Sequence, residues 1–255
     1  METLKTLIEH RTIRKYKNTP VEEAKMQKIY EAASRASTTG GMQVYSLIKT
    51  EDEKMKEELH RIHFGQPMLK EAPITLTFLA DFNRFNKWCE QRQARPAYDN
   101  FMSFMTAAID ALIAAQNACV AAEDQGLGIC YIGTVTYQAK ELIKLFKLPT
   151  GVVPVACITI GYPDEDPKQV DRLPMNAIVH EETYHDYQPE DIDKIHAYKE
   201  SLEQNKQFIS ENNKETLPQV FTDVRYPKKM NVEFSKVLLD VLYEQGFMNH
   251  SLDNE

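Results

Sequence analysis

The sequence predicts a mixed α and β chain, one domain organised around a single dominant helix. Three observations carry this reading. Between Ala107 and Ala122, eight alanines stand with Ile109, Leu112, Ile113 and Val120, the composition of a helix apolar on nearly every side and therefore buried. Two apolar runs, Ile74–Ala80 and Val152–Gly161, read as buried strands. Beyond Pro163 the texture turns polar, with eight acids against four lysines over residues 186–215, yet Ile192, Ile195, Tyr198 and Leu202 keep helical spacing.

In chain order, residues 2–9 read as a short helix ending at His10. A segment with four Arg/Lys cations and no acid follows: His10-Arg11-Thr12-Ile13-Arg14-Lys15-Tyr16-Lys17. Thr19-Pro20-Val21-Glu22 has the form of a capping box with proline in the first turn. It opens a helix in which Val21, Met26, Ile29, Tyr30 and Ala33 share a face. Ser37-Thr38-Thr39-Gly40-Gly41 ends that helix in a polar loop, and Gln43–Lys49 reads as a strand ahead of Ile74–Ala80. Residues 81–103 form a long aromatic and basic connection with the only tryptophan, Trp88; loops of that length are functional or disordered. The alanine helix runs from about Phe104 to Gln125, with Gly126 as its C-cap. Ile129–Ile132 is a short strand, Gly133-Thr134 a turn, and Thr136 the cap of a helix to Leu148 that Pro149 stops. After the strand Val152–Gly161, a last helix, Ser235–Gln245, ends at Gly246.

Composition excludes several classes of function. The 255 residues include 30 Lys+Arg and 38 Asp+Glu, a formal charge of −8, so no nucleic-acid partner is expected. No apolar run approaches the ~20 residues that span a bilayer, and Met1-Glu2-Thr3-Leu4-Lys5 lacks a signal-peptide core. A cytoplasmic protein with no membrane partner is the expectation. Cys89, Cys119, Cys130 and Cys157 form no C-x-x-C and read as reduced thiols, Cys119 and Cys157 as small core residues. With only nine glycines there is no P-loop, and Tyr131 stands where a dinucleotide turn beginning at Gly126 and Gly128 needs its third glycine. A bound phosphate must then be held largely by side chains. No esterase G-x-S-x-G occurs. His180-Glu181-Glu182-Thr183-Tyr184-His185 has its histidines five apart, off the shared helical face that zinc needs, so no metal is expected. Both read as helix-cap or surface residues, and His60 and His63 as a solvated helix end.

The segment His10-Arg11-Thr12-Ile13-Arg14 resembles the H-R-S/T-x-R signature of the nitroreductase superfamily. Further features agree in order: Ser37-Thr38-Thr39 with Gln43, Gly65-Gln66, Ala115-Gln116-Asn117-Ala118, Gly126-Leu127-Gly128 before Tyr131-Ile132-Gly133, and Gly161-Tyr162-Pro163 followed by Arg172-Leu173-Pro174. Length and the C-terminal helices resemble the larger, group A branch of oxygen-insensitive NAD(P)H nitroreductases and NADPH–flavin oxidoreductases. The resemblance implies an α+β nitroreductase-like fold with a central antiparallel-rich mixed sheet, the buried alanine-rich helix and a helical C-terminal extension. It divides the chain into a 1–185 FMN-binding core and a 186–255 extension of the same domain. It also implies a homodimer with FMN at the interface, NADH or NADPH as electron donor, and a small-molecule oxidant. The activity implied is two-step hydride transfer to nitroaromatics, quinones or flavins, with the chemistry on FMN and no catalytic side chain.

From the residues alone, Arg11 and Thr12, with His10, read either as an oxyanion site or as a solvated basic turn paired with acids such as Glu9. The resemblance makes them the phosphate site. It places Arg14 at the flavin N1–O2 edge, where a fixed cation stabilises reduced flavin. It sets Ser37, Thr38 and Thr39 beside the ring and ribityl chain, Gln66 at the pyrimidine end, and the backbone of Tyr131, Ile132 and Gly133 near N5 and O4. Arg172 matches a late phosphate-binding arginine. Relatives carry a lysine where this chain has Val170, and Lys168 is the nearest substitute. Relatives often carry glycine where Thr134 stands. The stretch 207–214, where some relatives hold the extra phosphate of NADPH with an arginine, has none; Lys206 and Lys214 are the nearby cations. The alternatives are another FMN reductase of this fold with an endogenous substrate, or a non-enzymatic flavin-binding or interaction protein using residues 81–103.

Overall fold

The computed structural model describes residues 3–251. Residue 2, with which the predicted first helix begins, and residues 252–255 of the C-terminal segment lie outside the described residues. The chain forms two compact units, one of residues 1–168 with 234–255, the other of residues 169–233.

The first unit is built on four strands, β1 (Tyr45–Thr50), β2 (Ile74–Asp81), β3 (Gly128–Tyr131) and β4 (Val152–Gly161), in the order β1-β2-β4-β3. β4 coincides with the predicted run, and β2 is buried along its whole length, as a central strand with both faces covered must be. Every ladder is antiparallel. The expected mixed character shrinks to one parallel bridge, Thr12 to Ile129, outside the strands.

The helices of this unit are α1 (Thr3–Ile8), α2 (Glu23–Ser34), α3 (Glu53–Ile62), α4 (Met68–Glu71), α5 (Asn83–Gln91), α6 (Phe101–Asp124) and α7 (Ala139–Phe146). In α6, the alanine face packs with Met26, Ile29 and Ala33 of α2 against Leu76, Phe78 and Ile158 of the sheet; small side chains let the backbones approach. The helix ends in a Schellman motif: Gly126, at φ 77°, donates to Glu123 O and Leu127 to Ala122 O.

Several expectations are corrected. The alanine helix is not buried all round: Met102, Met105, Ile109, Leu112 and Ile113 are exposed on its other face. By length and composition α6 is also apolar enough to cross a bilayer, contrary to the sequence reading, although its alanine face and Asp110 lie in the core. The Thr19–Glu22 capping box does not form. α2 starts at Glu23, and the Glu22 carboxylate accepts instead from the Tyr162 hydroxyl at 2.6 Å. Thr136 is no cap; a 3₁₀ turn, Thr136–Gln138, precedes α7. Residues 81–103 are not one loop but contain α5 and the start of α6, and Phe82, Phe85 and Tyr98 pack together, Phe82 stacked on Tyr98 at 4.8 Å. Trp88 meets Phe85 edge-on but stays exposed.

The second unit contains α8 (Pro189–Ser201), α9 (Glu203–Glu211) and the helical turn α10 (Leu217–Gln219). The boundary with the first unit falls inside α11 (Lys228–Glu244), a turn and more longer at its start than the predicted Ser235–Gln245. α8 opens with the capping box Gln188–Asp191. His180 and His185 cap no helix: they lie in a loop, where His180 Nε2 meets the Tyr187 hydroxyl at 3.2 Å.

Candidate functional site

The cationic segment is pinned along the edge strand β3. Thr12 bridges Ile129, and the Ile13 amide donates to Ile129 O at 2.9 Å. Two glycines that pair across the sheet, Gly128 and Gly161, make this approach feasible. A Cβ on Gly128 would lie 2.6 Å from Ile13, and one on Gly161 2.8 Å from the Tyr16 ring. With Ile13 and Tyr16 buried, Arg11, Arg14 and Lys15 are left exposed.

What this segment meets is acidic. The Arg11 guanidinium donates to the Asp166 carboxylate rather than to Glu9. The Arg14 and Lys15 amides both donate to Glu165 Oε1, at 2.5 and 3.0 Å. His10 Nδ1 lies 2.7 Å from Glu123 Oε1, whose pKa burial raises while His10 opposes. The Arg11 guanidinium, the Arg14 and Lys15 amides and His10 Nδ1 thus all meet carboxylate oxygens, a donor set suited to oxyanions. The Arg11–Asp166 pair is exposed, and a pair of that kind contributes little to stability.

Past β3 the chain runs Tyr131, Ile132, Gly133, Thr134. Ile132 is buried and its amide donates to Cys157 O at 2.8 Å. A Cβ on Gly133 would meet nothing within 4 Å. Thr134 joins two residues that follow α3. Its Oγ1 lies 2.8 Å from His63 Nδ1 and 3.1 Å from Gln66 Nε2, and the same Nε2 donates to His63 O at 3.1 Å. His63 is fully buried rather than a solvated helix end, and desolvation pulls its pKa down to about 4. His60 closes the turn through Nδ1, 2.9 Å from Gln66 O. Phe64 sits between them at φ 60°, a strained conformation for a bulky residue.

The hydroxyl loop stands on another support. Thr39 donates to Asp110 Oδ1 through its amide at 3.0 Å and its hydroxyl at 3.3 Å, while Ser37 is exposed and Thr38 half-buried. Asp110 is 1% exposed. Sequence reading passed over it, although an acid inside an alanine-rich helix was the signal. Lys168, the last residue of the first unit, is exposed. Arg172 belongs to the second unit, with its guanidinium on Val170 O and Asp171 O. There, Lys206 pairs with Glu203 and Lys214 with Asp223. Arg225, also unnoticed in sequence, lies over the Phe208 ring at 4.6 Å. The structure therefore joins Arg11, Thr12 and Arg14, through β3, to Gly133, Thr134 and Gln66, and holds Thr39 separately on α6.

A model of the nitroreductase family matches residues 7–162. The chain belongs to the nitroreductase family. The matched span includes every segment from His10 to Gly133 just described and stops short of Lys168 and Arg172. Within the family, the FMN reductase (NAD(P)H) of Bacillus subtilis is 33% identical over 250 residues, 96% of this chain and 98% of its own length. A solved Bacteroides fragilis protein, named only as an oxidoreductase, is 55% identical, covers 96% of this chain and 100% of its own, and superposes with a TM-score of 0.95. The NADPH:FMN oxidoreductase of Vibrio harveyi, solved with NAD+, is 25% identical over 97% of this chain and 99% of its own, with a TM-score of 0.79.

Proposed function

We propose that this nitroreductase-family chain is an FMN-dependent NAD(P)H oxidoreductase that reduces nitroaromatics, quinones or flavins. The observation that carries the proposal is the row of oxyanion-facing donors on the segment pinned to β3, continuing into Gly133 and the Gln66–Thr134 pair. The donor set fits FMN. A dianionic phosphate suits Arg11 and Thr12, with Asp166 exchanged for the ligand, and Gly133 leaves room for a flat ring against backbone. Bound there, FMN supplies hydride chemistry, from NADH or NADPH to a small-molecule oxidant.

The residues then have distinct tasks. Arg11 and Thr12, helped by His10, hold the phosphate, and Lys168 supplies a further cation to it. Arg14 holds a fixed positive charge at the N1–O2 edge and so favours the reduced, anionic ring. Ser37, Thr38 and Thr39 line the ribityl chain, Thr39 oriented by buried Asp110. Gln66 meets the pyrimidine end, and the backbone of Tyr131, Ile132 and Gly133 the N5–O4 edge. No acid or base is needed among them.

The working form is a homodimer with FMN at the interface, supported by the exposed stripe Met102, Met105, Ile109, Leu112 and Ile113 on α6. Residues 186–255 act with the 1–185 core as its helical extension, in a cytoplasmic enzyme. Of the aromatics in residues 81–103, Phe82, Phe85 and Tyr98 pack on one another, which leaves Trp88 and Phe101 exposed for the interaction-protein alternative.

The purified protein is expected to be yellow, and NADH or NADPH to bleach its flavin absorbance in stopped flow. Arg11→Ala is expected to lose FMN on dialysis where the wild type keeps it. Colourless protein that takes up no added FMN overturns the proposal; bound flavin that neither donor bleaches supports a binding protein instead.

A further inference from the structure

The cluster of His63, Gln66 and Thr134 has a hydrogen-bond polarity that can be worked out. Gln66 Nε2 lies 3.1 Å from His63 O, an acceptor only. The amide nitrogen must face that carbonyl, since the opposite rotamer would set two carbonyl oxygens against each other. Nε2 is then also the donor to Thr134 Oγ1 at 3.1 Å, and Gln66 Oε1 is the end of the amide turned away, with no partner among the described residues. His63 Nε2 is buried without a hydrogen-bond partner among the described residues. Placing the ring proton there would bury an orphan N–H, a costly state. The favoured tautomer carries the proton on Nδ1 and donates it to Thr134 Oγ1 at 2.8 Å. The depressed pKa of His63, about 4, keeps the ring neutral, so one tautomer operates across the neutral range. Thr134 Oγ1 thus accepts twice, and its own proton is left to be donated outward. Gln66 and Thr134 are both half-buried, so their free ends can reach a ligand.

We infer that Gln66 Oε1 and the Thr134 hydroxyl form an acceptor–donor pair that reads an imide edge, an N–H beside a carbonyl, as on the flavin pyrimidine ring. His63 is the positioning residue, acting from the core through its Nδ1 proton. Gln66 accepts from the imide N–H and Thr134 donates to the adjacent carbonyl oxygen. That donor also stabilises the extra electron density that reduction places on this edge of the ring.

The inference rests on the FMN reading, and two measurements separate their failures. The first needs no flavin: the ¹⁵N spectrum of the protein before FMN addition should show His63 protonated at Nδ1 and bare at Nε2. The reverse tautomer overturns the inference and leaves the FMN reading intact. The second compares Thr134→Val and Thr134→Ser in FMN titrations and in the midpoint potential of the bound flavin. Loss of one neutral hydrogen bond, about 1 kcal/mol, should weaken FMN affinity about fivefold and lower the potential in Thr134→Val, with Thr134→Ser staying close to wild type. Equal affinity and potential in the wild type and Thr134→Val overturn the inference. A wild-type protein that takes up no FMN overturns the FMN reading and this inference with it.

Discussion

Burial lowers the His63 pKa from 6.5 to about 4, and that shift links folding to acid. Above pH 6.5 the ring is neutral in both folded and unfolded chains and contributes no pH dependence. As pH falls from 6.5 towards 4, the unfolded chain takes up a proton that the folded one refuses, so stability declines through that window. The full shift corresponds to about 3 kcal/mol. Urea unfolding between pH 7 and 4.5 should show this decline, and His63→Leu should flatten it; an unchanged acid limb in the variant refutes the assignment. Arg11, Thr12 and Arg14 were legible in sequence because a cationic run in an acidic chain stands out without any fold. His63 was not, because it follows a helix rich in Glu and Lys, and its hydrogen-bond partner Thr134 lies 71 positions away. Asp166 was missed for the same reason: nothing local pairs it with Arg11.

At the level of elements, β3, β4 and the N-terminal segment share one constraint. Because Gly128 and Gly161 face each other, the sheet edge has a groove no wider than bare backbone, and Ile13 and Tyr16 fill it. Gly128→Ala would put a methyl 2.6 Å from both Cβ and Cγ1 of Ile13, atoms too near the main chain to swing aside. Overpacking of this kind costs about 1–3 kcal/mol, and a lower thermal unfolding midpoint is the expected readout; an unshifted midpoint would mean the groove is not tight. The buried strands were readable because β-branched residues concentrate where a strand is covered on both faces. α3, EKMKEELHRI, was passed over although Met55, Leu59 and Ile62 stand four and three apart on one face, and α4, MLKE, is too short to mark a period. The N-cap of α3 is Asp52, which accepts from the Lys54 and Met55 amides, a signal that could have been read. The alanine helix was recognised, but composition alone could not divide its covered face from its open one.

For the whole molecule, the net charge of −8 says little about the site, where the Arg11 guanidinium meets Asp166 and the Arg14 amide meets Glu165, both from the segment after β4. The open face of α6 says more. Met102, Ile109 and Leu112 are exposed by 69%, 47% and 46%, while the opposite face of the same helix holds the core together. In the homodimer proposed above, one helix serves as interior to the fold and as interface to the second copy, so folding and assembly draw on the same element. Mass action then applies to the fold itself. The thermal midpoint of the wild type should rise with protein concentration, and Leu112→Lys should lower it and remove that dependence; a midpoint constant over a hundredfold range of concentration refutes the coupling. For the proposed homodimer, dilution acts as a mild denaturant, and the amount of protein made sets how much of it is intact.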